Sequence, residues 1–392
     1  MTPSQTKVNS RLSKRVQSIQ PSGIRRFFDL ASKMDNIISL GVGEPDFVTP
    51  WNVREASISS LERGFTAYTA NAGLIELRRE IAFYMERRFS VSYDPESEIL
   101  VTIGASEAID IGMRAILDEG DEVIVVEPSF VSYAPLVQMA GGVAVPVGTN
   151  RDNEFKASGA LIEAAITSKT KAIMLCFPNN PTGSTMNAAE MKEIAEIVER
   201  YDLLVFSDEI YAELSYDEDH VSFASLPNMR ERTILISGFS KAFAMTGWRL
   251  GYVLAPPDLL AAMLKIHQYS LMCAPTMAQY GALEAMQSGM DDVEKMRQSY
   301  KQRRNFIVKS FAEIGLSCHT PGGAFYAFPS IASTGLSSEQ FAEKLLLEER
   351  VAVVPGHVFG AGGEGHIRCS YATSMDNLEV AVERIGSLLK KL

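Results

Sequence analysis

The sequence lacks the features of several large protein classes. Its formal net charge is −11, and basic residues never cluster beyond a pair such as Arg25-Arg26. Because nucleic-acid backbones are bound by concentrated basic surfaces, no nucleic-acid partner is expected. No run approaches the roughly 18 apolar residues of a membrane-spanning helix. The first ten residues are polar, so they predict local disorder rather than a secretory signal. The composition therefore predicts a cytoplasmic protein without a membrane partner.

Metal-binding and nucleotide-binding motifs are also missing. The 4 cysteines and 5 histidines are scattered, with no pair at zinc or redox spacing and no H-E-x-x-H segment. The sequence therefore predicts no metal site and reduced, mostly buried thiols. There is no G-x-G-x-x-G and no G-x-x-x-x-G-K-[ST], so neither a dinucleotide nor a P-loop nucleotide is indicated.

The chain does show a regular alternation over about residues 97–255. Short β-branched runs alternate there with longer amphipathic stretches such as 106–117 and 188–201, which is typical of a mainly parallel sheet covered by helices. Nearly continuous apolar runs such as VIVV indicate strands that are buried on both faces. The expected strands are 99–103, 122–126, 143–147, 172–176, 203–207, 233–237 and 251–254.

The pattern changes after residue 290, which predicts a second structural unit. A long charged helix (291–314), a helix (338–349), the strands VAVV and HIRCSYA and a terminal helix form an α+β pattern. A chain of 392 residues exceeds what one core usually supports. The N-terminal piece has too little apolar sequence to fold alone. We therefore expect a large domain over 50–288 and a discontinuous small domain made of 1–49 and 289–392.

Candidate chemistry lies where the expected strands end, since open parallel sheets bind ligands beyond the carboxyl ends of their strands. Gly104-Ala105-Ser106 opens a helix and favours a phosphate seat, although a plain tight turn fits equally well. Asp208 follows the fifth strand, where an isolated aspartate is more often a helix cap. Lys241 follows the sixth strand in a small, apolar, glycine-flanked loop. Burial there would lower the pKa of its amine and make it a nucleophile.

Six segments in order carry a family resemblance. They are GVGEPDF, YTANAG, NNPTG, SDEIY, SGFSKAFAMTGWRLG and HIRCSYATS. From about Ser22 to the C-terminus the chain resembles the class I/II (fold type I) pyridoxal-phosphate aminotransferases, and it is similar to the bacterial and archaeal branch with aspartate, aromatic and alanine enzymes. The resemblance implies transfer of an amino group from such an L-amino acid to a 2-oxo acid, with 2-oxoglutarate expected, by a ping-pong mechanism.

The resemblance also implies roles for residues around the cofactor, pyridoxal 5′-phosphate. Lys241 would hold it as a Schiff base and then move the proton between the substrate α-carbon and C4′. Asp208 would keep the pyridine nitrogen protonated. Tyr211 and Asn180 would bond the ring's 3′-oxygen. Phe130 would stack on the ring, where many relatives have a tryptophan or tyrosine with a hydrogen-bonding tip.

The phosphate and the substrate would each have their own partners. Those of the phosphate are Gly104, Ala105, Ser106, Ser240 and Arg249. Tyr68 resembles the tyrosine that reaches the phosphate of a neighbouring subunit, which implies a homodimer with shared active sites. Arg368 would clamp the substrate α-carboxylate, assisted by Asn180 and the backbone of Gly43. Ile24 and Gly43 suggest an apolar lid, which favours aromatic or small apolar donors.

Three other functions were weighed. A pyridoxal-phosphate β-lyase or decarboxylase of the same fold shares most of these cofactor contacts. A serine hydrolase is suggested by residues 238–242, which partly match a nucleophile elbow but lack its final glycine. A non-catalytic binding module of a transcription regulator would need a DNA-binding segment, and no basic patch indicates one.

Overall fold

The computed structural model describes residues 11–21, 23 and 34–392. The expected disorder of the first ten residues and the expected lid residue Ile24 lie outside this part of the chain. The helices are α1 (Lys14–Ser18), α2 (Trp51–Glu62), α3 (Ile75–Phe89), α4 (Gly104–Ile116), α5 (Tyr133–Ala140), α6 (Gly159–Ala165), α7 (Ala188–Arg200), α8 (Pro257–Ser270), α9 (Thr276–Ser288), α10 (Met290–Glu313), α11 (Ser338–Glu349) and α12 (Met375–Lys391).

The strands form one large and two small sheets. They are β1 (Ile38–Ser39), β2 (Ile99–Thr102), β3 (Glu122–Glu127), β4 (Val143–Gly148), β5 (Thr170–Cys176), β6 (Leu204–Asp208), β7 (Thr233–Gly238), β8 (Gly251–Leu254), β9 (Tyr326–Ala327), β10 (Val351–Ala352), β11 (Val354–Pro355) and β12 (Ile367–Ser370). Each of the seven strands expected between 97 and 255 is present, with bounds that differ by at most two residues.

The large sheet has seven strands in the order β2-β8-β7-β6-β5-β3-β4. All neighbouring pairs are parallel except those of β8, which runs antiparallel to both β2 and β7. The sheet is therefore mainly parallel, as the alternation predicted. Residues 123–126 of β3 and the whole of β7 are buried. That burial explains the continuous apolar runs, because both faces of these strands are covered.

Helices cover the two faces of this sheet. On one face α4 and α5 bury residues such as Ile109, Met113 and Val137 in a common core with β3 and β5. On the other face α7 contributes Ile194 and Val198 to a second core. The first turn of α7 carries a capping box, in which Asn187 accepts from the backbone of Glu190 and Glu190 bonds back to Asn187. The large sheet is thus a rigid support for the loops at its strand ends.

The C-terminal part has its own core around α10, α11 and α12, which includes Tyr300, Phe341 and Ile385. β9, β11 and β12 form a three-stranded antiparallel sheet. Residues 38–39 of β1 pair in parallel with residues 351–352 of β10. This pairing supports the proposed discontinuous small domain of 1–49 and 289–392, although the boundaries themselves stay a prediction.

Two further expectations concern the cysteines and the membrane. All four cysteines are free; Cys176 and Cys369 are buried, and Cys273 and Cys318 are half-buried. Among residues 11–21, 23 and 34–392, no helix combines the length and the apolar character that a bilayer crossing requires.

Candidate active site

A cavity of about 730 Å³ opens where β6 and β7 end, between the large sheet and the C-terminal part. It is lined by most of the residues that the sequence singled out. These are Gly43, Ala105, Ser106, Phe130, Asn180, Asp208, Tyr211, Ser240, Lys241, Arg249 and Arg368. Tyr68 does not belong to this lining, since its side chain is 77% exposed on the surface of the chain. The structure thus brings together residues that lie up to 325 positions apart in the sequence, from Gly43 to Arg368.

Lys241 projects into this cavity from the loop after β7. Its Nζ donates a hydrogen bond to the backbone carbonyl of Gly43 over 2.7 Å. Burial lowers the pKa of Lys241 to about 8; the negative charge of Glu44 opposes this shift, and the positive charge of Arg368 adds to it. Roughly a tenth of the amine is therefore uncharged at pH 7, far more than for an exposed lysine, and is available as a nucleophile or base.

Asp208 lies at the last position of β6 and is buried. Burial raises the pKa of its carboxyl to about 6, and the hydrogen bond from Tyr133 opposes the shift. The Tyr133 hydroxyl donates to Oδ2 over 2.6 Å, and the backbone N–H of Ile210 donates to Oδ1 over 3.2 Å. The side chain does not cap a helix of the kind that the isolated aspartate suggested, because only a single turn follows Tyr211.

Arg368 lies on β12 and points its guanidinium into the cavity. Nη1 donates to Asn180 Oδ1 over 2.9 Å, and Nη2 donates to the carbonyl of Gly41 over 2.6 Å. Nε is buried and has no hydrogen-bond partner among the described residues. The carbonyl of Gly43 accepts from Lys241, and the expected help of the Gly43 backbone in binding the substrate carboxylate stays a prediction.

The expected phosphate seat has the shape of an anion cradle. Gly104 begins α4 with φ +75°, and a Cβ at this position would lie 2.7 Å from Nη2 of Arg249. A Cβ on Gly251 would lie 2.6 Å from the backbone nitrogen of Ala105. Both glycines therefore keep the helix N-terminus and the guanidinium close together. The N-terminus of a helix and an arginine favour a dianion at the same place.

Two aromatic side chains frame the space between these groups. Phe130 is half-buried, and its ring contacts that of Tyr133 edge-on, with centroids 5.6 Å apart. The Tyr211 hydroxyl lies 2.9 Å from the hydroxyl of Tyr326. Ser240 is buried beside Lys241.

The sequence interpretation missed several lining residues, of which Tyr133 and Tyr326 make polar contacts with predicted site residues. Tyr133 lies three positions after Phe130 in the same segment, so its proximity to the site could have been inferred. Tyr326 follows the glycine pair of residues 322–323, and its position became evident only from the antiparallel pairing of β9 with β12. Ile210, one position before Tyr211, also lines the cavity.

Comparison with known proteins identifies the family of the chain. The model of the family "Aminotransferase class I and II" matches residues 35–385. The chain belongs to this family. Its members depend on pyridoxal phosphate, and this chain is a pyridoxal-phosphate-dependent aminotransferase.

Individual relatives agree with this assignment along the full length of the aminotransferase. The protein YugH of Bacillus subtilis (strain 168) is 62% identical over 384 residues, which are 98% of this chain and 100% of YugH. An aspartate aminotransferase of Pyrococcus abyssi is 45% identical, with 97% of this chain and 98% of that protein covered. The solved structure of an aromatic aminotransferase from Pyrococcus horikoshii OT3 superposes with a TM-score of 0.90 at 44% identity, covering 93% of this chain and 99% of that one.

The residues of the aminotransferase cavity fit its cofactor. The cradle at Gly104 and Arg249 suits a phosphate, and the glycines there leave no side chain in its way. The buried carboxylate of Asp208 accepts from Tyr133 and from the backbone of Ile210, and a protonated pyridine nitrogen would add a cation in direct contact with it. Arg368 presents a buried guanidinium to the cavity, which suits the carboxylate of a substrate. The family assignment and the chemistry of the cavity are thus in agreement.

Proposed function

We propose that this aminotransferase works by a ping-pong mechanism, in which an L-amino acid leaves as its 2-oxo acid before 2-oxoglutarate enters the same cavity. The observation that carries this proposal is a cavity in which the buried guanidinium of Arg368 and the half-buried amine of Lys241 lie together. Amino donor and oxo acid both carry an α-carboxylate, so one clamp serves each of them in turn.

We assign to Arg368 the binding of the substrate α-carboxylate. The side chain is held by Asn180 and by the carbonyl of Gly41, so its plane is fixed before the substrate binds. A guanidinium offers two parallel N–H groups that match a carboxylate. Its burial strengthens this attraction, since the surrounding dielectric is low. Asn180 therefore acts both as a wall of the cavity and as a support of the clamp.

We assign the proton transfer to Lys241. When bound, pyridoxal phosphate supplies an electron-withdrawing ring that stabilises negative charge at the substrate α-carbon. The uncharged Nζ of Lys241 takes the α-proton; because burial lowers the pKa of this amine to about 8, roughly a tenth of it is uncharged at pH 7 and about half at pH 8. In the second half of the cycle the same Nζ returns a proton to the α-carbon of the oxo acid.

The other lining groups hold the cofactor. We propose that Asp208 bonds the pyridine nitrogen, that Tyr211 and Asn180 bond the ring's 3′-oxygen, and that Phe130 packs on one ring face. The phosphate is assigned to the cradle that combines Gly104, Ala105, Ser106, Ser240 and Arg249. Each of these groups lies at the end of a strand or the start of a helix of the large sheet, so the cofactor rests on the rigid part of the fold.

The amino donor is of the aromatic, aspartate or alanine type, and the cavity favours apolar side chains among these. Its lining includes Val42, Ile109, Phe130 and Ile210. In the part of the lining that the structure describes, the positive charges belong to Lys241, Arg249 and Arg368. All three already have assigned roles, so a distal substrate carboxylate finds no further cation there. Glu44, at the same cavity, would repel one.

A panel of amino donors tests these proposals. The purified, cofactor-loaded enzyme is given tyrosine, phenylalanine, alanine and aspartate with 2-oxoglutarate, and the oxo acid and glutamate produced are quantified. We expect equimolar oxo acid and glutamate, with the highest kcat/KM for an aromatic donor. Initial rates at several concentrations of both substrates should give parallel double-reciprocal lines. Formation of an amine and carbon dioxide, or of ammonia and pyruvate without glutamate, would assign the enzyme to the decarboxylases or β-lyases instead.

We also propose a homodimer with shared active sites. The position of Tyr68 supports it: its side chain is 77% exposed, and its segment is hydrogen-bonded to Met272 and Thr276 through Asn71 and Ala67, so exposed side chains of two segments lie side by side. Tyr269, 88% exposed, and Met272, 47% exposed, are further apolar side chains on the surface. Light scattering on the purified protein should give twice the chain mass, and Tyr68→Phe should weaken cofactor affinity without changing that mass. The cytoplasmic location stays a prediction.

A further inference from the structure

Tyr326 lies at a meeting point of three segments of the cavity. It is 1% exposed, and its hydroxyl is 2.9 Å from that of Tyr211. The guanidinium carbon of Arg368 lies 4.5 Å from the centre of its ring. A Cβ on Gly43 would lie 2.6 Å from the Tyr326 hydroxyl. This hydroxyl therefore also lies close to the backbone of Gly43, whose carbonyl accepts a hydrogen bond from Lys241. A buried phenol in this place touches the proposed substrate clamp and a proposed cofactor contact at once.

The number of protons fixes the direction of the bond between the two tyrosines. Each phenol has one proton to donate and can accept with its lone pairs. If Tyr211 gives its proton to the 3′-oxygen of the cofactor ring, the bond of 2.9 Å can be made only with the proton of Tyr326. A chain of two donations follows, from Tyr326 to Tyr211 and from Tyr211 to the ring. Hydrogen bonds in such a chain polarise and strengthen one another.

We propose that Tyr326 is a positioning residue, which donates to the Tyr211 hydroxyl and thereby strengthens the donation of Tyr211 to the ring oxygen of the bound cofactor. The inference rests on the proposed contact between Tyr211 and the cofactor, and it adds to that contact a residue that does not touch the reacting atoms. Its consequence is electronic: a better-stabilised ring oxygen lowers the pH at which the bound cofactor gains a proton.

The surroundings keep Tyr326 protonated and aimed at Tyr211. Burial raises the pKa of Tyr326, while the positive charge of Arg368 opposes the shift. The phenol therefore keeps its proton throughout the working range of the enzyme. Arg368 lies over the ring face, where the cation polarises the phenol and makes its hydroxyl a stronger donor. The absence of a side chain at Gly43 lets the Tyr326 hydroxyl lie close to the 41–44 loop.

The test is a spectroscopic pH titration of the cofactor-loaded enzyme. The visible band of bound pyridoxal phosphate changes with its protonation, so the midpoint can be compared among wild type, Tyr326→Phe, Tyr211→Phe and the double variant. We expect Tyr326→Phe to raise the midpoint by about two tenths of a pH unit, because the lost bond contributes only part of the strength of the Tyr211 donation. Tyr211→Phe should raise it further. The double variant should titrate like Tyr211→Phe, since Tyr326 acts through Tyr211.

Tyr371→Phe is the matched control. Its hydroxyl is also buried and donates to the carbonyl of Ala324 over 3.2 Å, in the same core as Tyr326 but away from the cavity lining. This variant should leave the midpoint where wild type has it. A shift equal to that of Tyr326→Phe would mean that any lost hydroxyl in this core moves the midpoint, and it would overturn the proposal.

The outcomes separate the proposal from the function on which it rests. A shift in Tyr211→Phe with none in Tyr326→Phe overturns the proposal and leaves the role of Tyr211 intact. No shift in either variant overturns both. If the midpoint shift of the double variant equals the sum of the two single shifts, Tyr326 does not act through Tyr211, and the proposal is overturned. If Tyr326→Phe does not take up cofactor, Gly43→Ala is compared in wild type and in Tyr211→Phe, because its Cβ displaces the Tyr326 hydroxyl but also disturbs the loop that accepts from Lys241. A shift that is present in wild type and absent in Tyr211→Phe supports the proposal; an unmoved midpoint, or the same shift in both, overturns it.

Discussion

The hydroxyl of Tyr133 donates a hydrogen bond of 2.6 Å to the Oδ2 atom of Asp208, and both side chains are buried. This bond stabilises the ionised form of a carboxyl whose pKa burial raises to about 6. When the cofactor is bound, the Asp208 carboxylate and the pyridine nitrogen compete for one proton. The proton stays on the nitrogen only while the carboxylate is the weaker base of these two groups. Tyr133 therefore helps to hold the proton on the ring.

We predict that Tyr133→Phe lowers kcat about tenfold, the effect of losing one hydrogen bond to a charged group. The removed hydroxyl lets the pKa of Asp208 rise further, so the carboxyl competes better for the ring proton. Cofactor content, read from the visible absorbance, should stay unchanged. Tyr93→Phe is the control, because the buried Tyr93 hydroxyl has no hydrogen-bond partner among the described residues. Equal kcat values for Tyr133→Phe and wild type would remove Tyr133 from this role.

Loading of the cofactor should depend on the ionisation of Lys241. Burial lowers the pKa of this amine to about 8 in the cofactor-free enzyme, and only the uncharged amine is a nucleophile. The rate of covalent loading should therefore rise with pH up to about 8 and then level off. Between pH 7 and 9 the phosphate is already dianionic, since its second pKa is about 6. Its ionisation therefore does not contribute to the pH dependence of the loading rate. Stopped-flow absorbance measures this rate; a rate that keeps rising above pH 9 would contradict the lowered pKa.

Arg368→Lys should weaken the binding of both substrates and leave the binding of the cofactor unchanged. An ammonium cannot form the two parallel hydrogen bonds of the guanidinium, so KM for the amino donor and for the oxo acid should each rise about tenfold or more. The dissociation constant of the cofactor should stay the same. Arg303→Lys serves as the control, because Arg303 is paired with Asp46 over 2.7 Å and does not line the cavity. Unchanged KM values would count against the clamp.

Acid should destabilise the fold through His319. Burial lowers the pKa of His319 to about 4, whereas an unfolded histidine titrates near 6.5; Glu154 opposes the shift, and His366 and Arg151 add to it. As the pH falls, His319 is therefore protonated in the unfolded chain before it is protonated in the folded one. The stability is complete above pH 6.5 and is lost as the pH falls towards 4, by roughly 3 kcal/mol at most.

Urea unfolding at several pH values between 7 and 4.5 measures this loss. His319→Gln should show a smaller decrease in the free energy of unfolding over that interval than wild type. His357→Gln is the control, because the side chain of His357 is 38% exposed. The same decrease in wild type and His319→Gln would mean that another group causes the acid sensitivity.

The sequence allowed much of the large sheet to be predicted, because its strands are buried on both faces and appear as short apolar runs. The strand after Leu250 shows where the pattern stops being informative. Residues 251–254 form a buried strand as expected, yet β8 runs antiparallel to its neighbours. A fully buried strand has the same apolar pattern in either direction, so only the path of the chain decides.

The site was predictable where a motif fixes the backbone and unpredictable where two distant side chains meet. Lys241, Asp208 and Arg368 were all expected, and all line one cavity. The bond between Tyr211 and Tyr326 was not expected, because their separation of 115 residues leaves no local pattern. Their meeting depends on how the three-stranded sheet packs against the end of β6.

The central claim is that Lys241 holds the cofactor and moves the substrate proton, and the most direct test is the transamination rate of Lys241→Ala loaded with pyridoxal phosphate. Loss of a positioned acid–base group of this kind costs a factor of about a hundred to ten thousand, and the loss of the covalent link adds to it. We predict that kcat falls at least about a thousandfold while the variant still binds the cofactor through the phosphate cradle. Transamination by Lys241→Ala at a rate near that of wild type would contradict the account.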